Sequence, residues 1–328
     1  MKAVVVTESG VEIQDVPAPT PKPNEVLVRV RACGLNRADL LVASGMAHGR
    51  AGGAGTIVGL EFVGEVVEMG AEAKAQSGLS VGDRVMCGGP EGWAEYAVAD
   101  WGRANKIPDA NVSWNEAATL GTALNTMHNA VVTAGRMKAG ETVLVQGASS
   151  GVGLMAMQIA KYKGAGLVIG TSTNAERRAK LTDFGADLAV DSRDETWADQ
   201  VLEATGGEGV DLIVDNVSGY TINDSLRCTK ILGRIVNVGR LGGFSGEFNF
   251  DLHAARRIDY IGVTFRTRSI EEVREIARLV QEDLGDAVAK GELRIPIDSV
   301  YAFDHVADAL AHMKANQHFG KIVLEGAA

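Results

Sequence analysis

The sequence has no apolar run long enough to cross a membrane. None of its apolar stretches approaches the ~18 consecutive residues that a transmembrane helix needs. After Met1-Lys2, only a short apolar stretch precedes Thr7-Glu8, which predicts a first strand and not a signal peptide. We therefore expect neither a membrane anchor nor a membrane partner.

Positive charge and cysteine are also scarce. The sequence has 32 Lys and Arg against 42 Asp and Glu, and its net charge of −10 comes without any basic stripe, so nucleic acid is not expected as a partner. The three cysteines, Cys33, Cys87 and Cys228, are isolated and form no CxxC pair. They are expected to be small buried residues in a reducing compartment, and the sequence predicts a cytoplasmic protein.

A strand, a glycine-rich turn and a helix follow one another near the middle of the chain. Thr142–Gln146 is a short apolar run typical of a buried strand, and Leu154–Lys161 has apolar side chains at helical spacing. The small residues between them let a backbone approach a pyrophosphate, to which the helix N-terminus offers unpaired N–H groups. The candidate cofactor-binding residues of this turn are Ser149, Ser150, Gly151, Val152 and Gly153.

The residues around this turn distinguish a cofactor site from an ordinary helix start. Strands alternate with helices as far as residue 238, which predicts a parallel sheet covered on both faces. The predicted strands are 142–146, 167–171, 188–190, 210–214 and 234–238. Thr173 with Glu176, and Ser192 with Glu195, have the spacing of capping boxes. We therefore expect an α/β nucleotide-binding fold with a doubly wound sheet.

The rest of the chain has another pattern. The residues up to about 120 contain many short strands between glycine and aspartate turns, which is typical of a compact β domain. A helical stretch over 114–134 leads out of it, and a helix capped by Ser269 and Glu272 is expected to run to about Lys290. The last elements are predicted to return to the first domain. The chain is thus divided into 1–121, 122–266 and 267–328.

Five motifs resemble the medium-chain dehydrogenase/reductase superfamily across essentially the whole chain. Within it, they are most similar to the zinc-independent quinone oxidoreductase branch typified by zeta-crystallin. The motifs are Ala32–Asp39, Gly59–Gly64, Val81–Val85, Gly147–Gly153 and Gly320–Leu324. The resemblance implies a Rossmann domain with a doubly wound parallel sheet, joined to a GroES-like β-rich catalytic domain.

The resemblance also implies that no zinc is bound. Zinc-dependent relatives have a cysteine at the position of Asn36 and a histidine at that of Leu60. Catalytic zinc needs about three protein ligands, and leucine cannot supply one. The four-cysteine structural lobe of those relatives is missing as well, so no metal site is predicted.

The cofactor expected from the residues after the second predicted strand is NADPH. An NAD site has an Asp or Glu there for the ribose 2′-hydroxyl, whereas this chain has the neutral stretch Thr171–Asn174. Ser172, Thr173 and Arg177 are predicted to bind the cofactor, because Arg177 stands where relatives place a basic residue facing the 2′-phosphate. Ser192 departs from the tyrosine that many relatives have. The alternative is that Arg177 is a solvated helix residue.

Further cofactor contacts are carried over from the family. They are Asn216, Val238, Gly239, Arg240, Phe265 and Lys321. Asn216 and Gly239 have a plainer alternative role, which is to terminate strands. Strand C-termini in such sheets are nevertheless where ligands lie.

Catalysis is predicted to depend on two amides. The resemblance places Asn36 beside the nicotinamide and Asn125 where relatives often have a threonine. An amide can donate a hydrogen bond to a carbonyl oxygen that becomes negatively charged, but Asn36 could equally cap a turn. His48 and His128 are possible proton donors, and Glu61 is expected to brace the fold.

The leading hypothesis is therefore an NADPH-dependent reductase of quinones or α,β-unsaturated carbonyl compounds. The substitutions at Leu41 and Gly52–Gly55 change the mouth of the family's cleft and weaken the case for quinones. The alternatives are an enoyl-thioester reductase, supported by Arg240, Arg266 and Arg268, and a non-catalytic NADPH binder. We expect a small electrophilic substrate, a homodimer paired through the edge strand 258–263, and a glycine-rich loop, Gly45–Gly55, that closes over the substrate.

Overall fold

The chain divides into two compact units in a computed structural model that describes residues 1–49, 52–108 and 112–327. The first unit comprises Met1–Thr122 and Phe265–Ala328, and the second Ala123–Thr264. The strands in chain order are β1 Lys2–Thr7, β2 Gly10–Asp15, β3 Glu25–Gly34, β4 Glu61–Met69, β5 Arg84–Gly88, β6 Tyr96–Asp100, β7 Ala104–Lys106, β8 Thr142–Gln146, β9 Leu167–Thr171, β10 Leu188–Val190, β11 Val210–Asp215, β12 Thr229–Asn237, β13 Asp259–Gly262, β14 Ile297–Tyr301 and β15 Lys321–Glu325. The α-helices are α1 Arg37–Ala43, α2 Ala71–Gln76, α3 Trp114–Ala117, α4 Gly121–His128, α5 Gly151–Tyr162, α6 Ala175–Ala179, α7 Trp197–Ala204, α8 Ile222–Cys228, α9 Phe250–Arg256, α10 Ile270–Ala289 and α11 Val306–Ala315.

The second unit is a parallel sheet that winds outwards in both directions from β8. The strand order is β10-β9-β8-β11-β12-β13, and every pairing is parallel. Ligands of such sheets bind at the carboxyl ends of the strands where the winding direction changes, which here is the edge at which β8 and β11 end. The predicted doubly wound sheet is confirmed.

One face of this sheet is packed with aliphatic side chains at equivalent heights. Leu144, Ile169, Ile213 and Ile235 come from four neighbouring strands and are fully buried. Trp197, the first residue of α7, packs in the same cluster. Burial of such side chains contributes about 1.5–3 kcal/mol each, which is why these strands are almost continuously apolar.

The first unit is a largely antiparallel sheet completed by the end of the chain. Its order is β14-β15-β3-β4-β5-β7, with β6 paired to β3 and β1-β2 forming a separate hairpin. β15 pairs with β3 antiparallel through Val323 and Gly34, so the last strand belongs to the sheet of the first unit. The structure thus has the expected fold, with one GroES-like domain and one Rossmann domain.

Three local expectations are wrong. The helical stretch predicted over 114–134 is divided into α3, α4 and a π-helical turn at Asn129–Thr133. The capping residue of α6 is Asn174, whose side chain accepts from Arg177 N, and not Thr173. Helix α7 begins after Thr196, so Ser192 caps nothing. At α6 the spacing was compatible with a cap at Thr173, but the adjacent Asn174 supplied it.

Part of the predicted closing loop lies outside the described residues. Arg50 and Ala51 of the predicted Gly45–Gly55 loop are the part that lies outside. The residues at the end of this loop are attached to β1, because Gly55 N donates to Val6 O at 2.9 Å and Val6 N donates to Thr56 O at 2.9 Å. No helix in the described ranges is long and apolar enough to span a membrane.

Candidate functional site

The glycine-rich turn between β8 and α5 has the shape of a phosphate cradle. Gly147 has a φ of +68°, and a Cβ on Gly153 would lie 2.5 Å from Gly147 O, so both positions require glycine. Ser150 caps α5 by accepting from Gly153 N at 3.1 Å and donating to Gly147 O at 2.8 Å. Gly151 and Val152 open the helix, and their amides belong to the unpaired N-terminal set that binds anions.

The ends of β9 and β10 form the neighbouring part of the edge. Ser172 is buried, its N donates to Val190 O at 3.0 Å, and its hydroxyl donates to Ser149 Oγ at 3.0 Å. Arg177 lies in the first turn of α6. Arg178 donates to Ser172 O at 2.8 Å and to Asp191 Oδ2 at 2.9 Å. The chain therefore places Ser149 and Ser172 together, with two arginines on the helix that follows.

The ends of β11 and β12 supply a buried acceptor. Asn216 is 3% exposed and donates from Nδ2 to Gln146 O at 3.0 Å. Its Oδ1 is buried and has no hydrogen-bond partner in the described part of the chain. A Cβ on Gly239 would meet Asn216 O at 2.5 Å. An unpaired buried acceptor costs about 1–3 kcal/mol, so this oxygen is suited to a ligand donor such as a ribose hydroxyl.

Together these features fit a dinucleotide. The turn at Gly147–Gly153 fits a pyrophosphate. Asn216 Oδ1 offers an acceptor at the end of β11, the strand next to β8. Val238 N and Gly239 N both donate to Asp215 O, at 2.8 and 3.1 Å, and Arg240 donates to Asn237 Oδ1 at 3.1 Å and to Val238 O at 3.2 Å. The predicted contacts at Val238, Gly239 and Arg240 therefore lie on this edge, although Arg240 already has two protein acceptors.

The first unit contains a buried cluster around one ammonium group. Lys321, the first residue of β15, donates from Nζ to Glu61 Oε2 at 2.5 Å, Asn36 Oδ1 at 2.8 Å and Leu35 O at 3.1 Å. Lys321 and Glu61 are 4% and 1% exposed. An ammonium has three protons, and all three have acceptors here. The predicted cofactor contact at Lys321 thus coincides with a residue that holds Asn36 and Glu61.

Glu61 is held from both sides. Its other oxygen accepts from Thr122 N at 2.6 Å, and Asn36 Nδ2 donates to Glu61 Oε2 at 3.0 Å. A Cβ on Gly34 would lie 2.7 Å from Glu61 Oε2, so a larger residue there would displace the carboxylate. The second amide proton of Asn36 points to Gly34 O at 3.3 Å, the longest of these bonds and the easiest to exchange for a substrate oxygen.

Asp39 lies behind Asn36 and is fully buried. Its carboxylate accepts from Asn36 N at 2.7 Å and from Leu60 N at 3.1 Å, which joins the two positions where zinc-dependent relatives have ligands. Burial raises the pKa of Asp39 to about 7, with a smaller contribution from Glu61, while the two N–H groups and Lys321 act in the opposite direction. The cluster therefore combines two carboxyl groups with one ammonium.

The remaining predicted residues are divided between the units. Asn125 lies on α4 in the second unit and is half-buried, whereas Asn36 belongs to the first. Phe265 also belongs to the first unit, with the Arg268 guanidinium 5.9 Å from its ring centroid. Thr173 is exposed. His48 is half-buried, and burial followed by the charge of Arg266 lowers its pKa.

Sequence reasoning missed three residues that shape these sites. Asp39 stands three residues after Asn36, a spacing that could have identified it as the partner of the Asn36 amide. Tyr220 and Arg193 had no such signal, because they are far apart in the sequence. The Arg193 guanidinium lies 3.7 Å from the centroid of the Tyr220 ring. In the described ranges, no group of three or more His, Cys, Asp or Glu residues is arranged to hold a metal ion.

Comparison with known proteins assigns the family. The sequence profile described as zinc-binding dehydrogenase matches residues 151–282, and that described as alcohol dehydrogenase GroES-like domain matches residues 22–109. Human quinone oxidoreductase is 31% identical over 316 residues, covering 94% of this chain and 92% of the relative. The chain belongs to the medium-chain dehydrogenase/reductase superfamily. Its relatives place it in the quinone oxidoreductase-like branch.

Other members of the superfamily extend the likeness to much longer proteins. A phenolphthiocerol/phthiocerol polyketide synthase of Mycobacterium tuberculosis is 31% identical over 315 residues, which are 96% of this chain but 14% of that protein. The chain thus spans a small part of the length of this relative.

Solved structures of the superfamily match along nearly the whole chain. A mycobacterial quinone oxidoreductase has a TM-score of 0.87 at 28% identity, covering 99% of both chains. A mycobacterial protein complexed with NADPH has a TM-score of 0.87 at 26% identity, with the same coverage. The CurK enoyl reductase has a TM-score of 0.86 at 25% identity and again covers 99% of both. The neighbour complexed with NADPH and the dehydrogenase profile support nicotinamide-dinucleotide binding by this chain.

Proposed function

We propose that this chain is a zinc-independent, NADPH-dependent reductase of quinones or α,β-unsaturated carbonyl compounds. The observation that carries the proposal is the Asn36 amide, fixed by Lys321 and Glu61 at a position where zinc-dependent relatives have a metal ligand. An oriented amide can stabilise charge that develops on a carbonyl oxygen without a metal. When bound, NADPH supplies the hydride.

The chemistry assigned to the chain itself is positioning and charge stabilisation. Lys321 donates to Asn36 Oδ1 at 2.8 Å, which draws electrons from the amide and strengthens its N–H groups as donors. The carbonyl oxygen of the substrate accepts a hydrogen bond from the Asn36 N–H that otherwise donates to Gly34 O. Lys321 and Glu61 stay paired, so the carbonyl meets a polarised amide and not a bare cation.

The preference for NADPH rests on charge at the end of β9. Thr171–Asn174 contain no acid to accept from a ribose 2′-hydroxyl. Arg177 in the first turn of α6 is the donor assigned to the 2′-phosphate, since a guanidinium matches phosphate geometry. The structural neighbour complexed with NADPH supports the same choice.

The test is turnover of NADPH with a panel of quinones, enones and enoyl thioesters. Asn36→Ala is expected to lower kcat/KM about a hundredfold, the usual cost of losing one oxyanion donor, while the dissociation constant of NADPH stays unchanged. If the protein binds NADPH but reduces no member of the panel, it is instead the non-catalytic NADPH binder. Stoichiometric zinc by elemental analysis, together with inactivation by a chelator, would contradict the metal-free chemistry.

Enoyl-thioester reduction is the second candidate, and the polyketide synthase and enoyl reductase relatives favour it. A long phosphorylated acyl carrier would need basic residues to receive it. Arg240 donates to Asn237 and Val238, and Arg268 pairs with Glu272 at 3.3 Å, so these two arginines already have acceptors. A clear preference for enoyl thioesters over simple enones in the panel would establish this alternative.

A further inference from the structure

Two loops at the cofactor edge of the second unit are joined by Tyr220. The Tyr220 hydroxyl lies 3.5 Å from Ser192 Oγ, and the guanidinium of Arg193 lies 3.7 Å from the centroid of the Tyr220 ring. Ser192 and Arg193 follow β10, and Tyr220 follows β11. Tyr220 therefore connects the ends of two strands that are separated in the sheet by β8 and β9.

A residue with a strained backbone, Ser218, lies two positions before Tyr220. Ser218 has φ 58° and ψ −152°, a combination that essentially only glycine adopts and that costs other residues on the order of 1–3 kcal/mol. It is held there because its N donates to Asp215 Oδ1 at 2.8 Å and its hydroxyl donates to Gly239 O at 2.9 Å. Strain retained at the cofactor edge is the kind of outlier that accompanies a functional constraint.

Arg178 and Arg193 both donate to Asp191 but have different roles. Arg178 is neutralised by Asp191 and is fixed on Ser172 O, so it braces the loops after β9 and β10. Arg193 is held at its backbone by Asp191, to which its N donates at 2.9 Å, and its side chain is stacked on Tyr220. A stacked guanidinium keeps its N–H groups in the ring-parallel plane, where they can donate to an anion.

The loop that carries Arg193 is fixed on both sides. The buried Ser192 meets the phenol of Tyr220. Ser172 N bonds to Val190 O at 3.0 Å, which keeps this loop next to the one that leads to Arg177. Arg177 on α6 and Arg193 in the loop after β10 thus belong to neighbouring segments at the adenosine end of the predicted site.

We infer that Arg193, stacked on Tyr220, is a second determinant of specificity for the 2′-phosphate of the cofactor. The inference rests on the proposed function, in which the second unit binds NADPH. It assigns the discrimination to Arg177 and Arg193 acting on the same phosphate, with Tyr220 as the residue that positions Arg193.

The experiment measures dissociation constants by calorimetry for NADP⁺, NAD⁺, adenosine 2′,5′-bisphosphate and AMP. Arg193→Gln is expected to weaken NADP⁺ and the bisphosphate about tenfold or more, the range of one charge-assisted contact, and to leave NAD⁺ and AMP unchanged. Tyr220→Leu removes the platform and is expected to have the same selective effect, whereas Tyr220→Phe keeps the stack and retains most of the preference. Arg227→Gln is the matched control. Tyr220 precedes the first residue of α8, whereas Arg227 lies in the last turn of this helix and pairs with Asp199.

The outcomes separate the two proposals. If the wild type binds NAD⁺ as tightly as NADP⁺, the proposed NADPH function fails and this inference fails with it. If the wild type prefers NADP⁺ and Arg177→Ala abolishes the preference, but Arg193→Gln behaves like Arg227→Gln, only the role of Arg193 is overturned. Equal weakening of NADP⁺ and NAD⁺ by Arg193→Gln would also overturn it, since a contact to the 2′-phosphate cannot affect NAD⁺.

Discussion

At the scale of single residues, Lys321 holds the buried polar cluster of the first unit together. Its ammonium is the cation of a buried cluster that contains Glu61 and Asp39. Removing one member of a buried pair typically costs about 3–5 kcal/mol, because the other charge is left uncompensated. We therefore regard Lys321 as the residue that positions Asn36.

The raised pKa of Asp39 gives a pH-dependent stability. Because its pKa is about 7 in the folded chain and 3.8 ordinarily, the folded state holds more protons than the unfolded state between about pH 4 and 7. The free energy of unfolding should therefore fall as pH rises through this window. The Asp39→Asn variant has no carboxyl group here and should not lose stability in this way as pH rises. It also gives up an acceptor for one of the two N–H groups, those of Asn36 and Leu60.

The measurement is urea unfolding of wild type and Asp39→Asn at about pH 5 and pH 8, on either side of the folded-state pKa. The stability advantage of the wild type over the variant should shrink between these values by on the order of a few kcal/mol. A constant difference would mean that Asp39 remains ionised throughout.

Leu232 offers a stabilising substitution. It has a φ of 65° and is 64% exposed, so its side chain adds strain without much packing. Left-handed backbone costs an L-residue roughly 1–2 kcal/mol, which exceeds the entropy that glycine loses. Leu232→Gly should raise the free energy of unfolding by about 0.5–1 kcal/mol. Ile231→Gly, at the exposed neighbour without a positive φ, should lower it by a similar amount, and a reversed order would contradict this account.

The sequence predicted the parts of the site that lie in one local motif. The turn at Gly147–Gly153 follows from a strand–turn–helix pattern, whereas the contacts at Asn216 and Gly239 come from the family resemblance. The partnership of Glu61 with Lys321 joins residues 260 positions apart, and the contact of Arg193 with Tyr220 joins two loops. Such contacts depend on how strands are ordered in a sheet, which spacing does not encode.

At the scale of helices and strands, capping residues show where spacing is sufficient. Ser269 and Glu272 form the predicted capping box of α10, while the same spacing at Thr173 and Glu176 gave way to Asn174. Asparagine is at least as good an N-cap as threonine, and it stands one residue closer to the helix. The existence of the helix was predictable, but the choice between adjacent caps was not.

Helix α10 is attached to the rest of the first unit by Arg274. The guanidinium donates to both oxygens of Asp100, at 2.8 and 2.7 Å, and lies 4.4 Å from the Trp101 ring centroid. The Asp100 side chain is 6% exposed, and desolvation is outweighed by its hydrogen bonds to Arg274 and Asn24, so its pKa is lowered. This contact fastens the returning chain to the sheet.

Arg274→Leu should destabilise the chain by roughly 3 kcal/mol, because Asp100 would stay buried without its cation. Arg278, one turn further along α10, pairs with Glu275 and Glu282 on the surface. Arg278→Leu should therefore cost less than about 1 kcal/mol. Chemical denaturation of both variants distinguishes them, and equal losses would mean that Asp100 is solvated.

At the scale of the whole molecule, we propose that two copies pair through β13. This strand is at the end of the sheet order, so one side of its backbone is available for pairing. Tyr260 on the strand and Phe250 beside it are 42% and 77% exposed. A two-fold pairing of this edge would cover both and close the assembly.

Light scattering at micromolar concentration should give the mass of a dimer. Tyr260→Lys places two like charges near the two-fold axis, so it should shift the mass towards a monomer. Ile231→Lys, which adds the same charge at an exposed position of β12, should leave the mass unchanged. A monomeric wild type would exclude the pairing.

Lys321 follows the second unit in the sequence, and this sets an order on synthesis. Asn36 and Glu61 leave the ribosome before Ala123–Thr264, whereas Lys321 emerges only after it. Domains fold as units during translation, so the second unit can fold while Glu61 still lacks the cation that makes its burial tolerable. A ribosome stalled just before residue 321 should therefore carry one protease-resistant domain and one that is still open to cleavage.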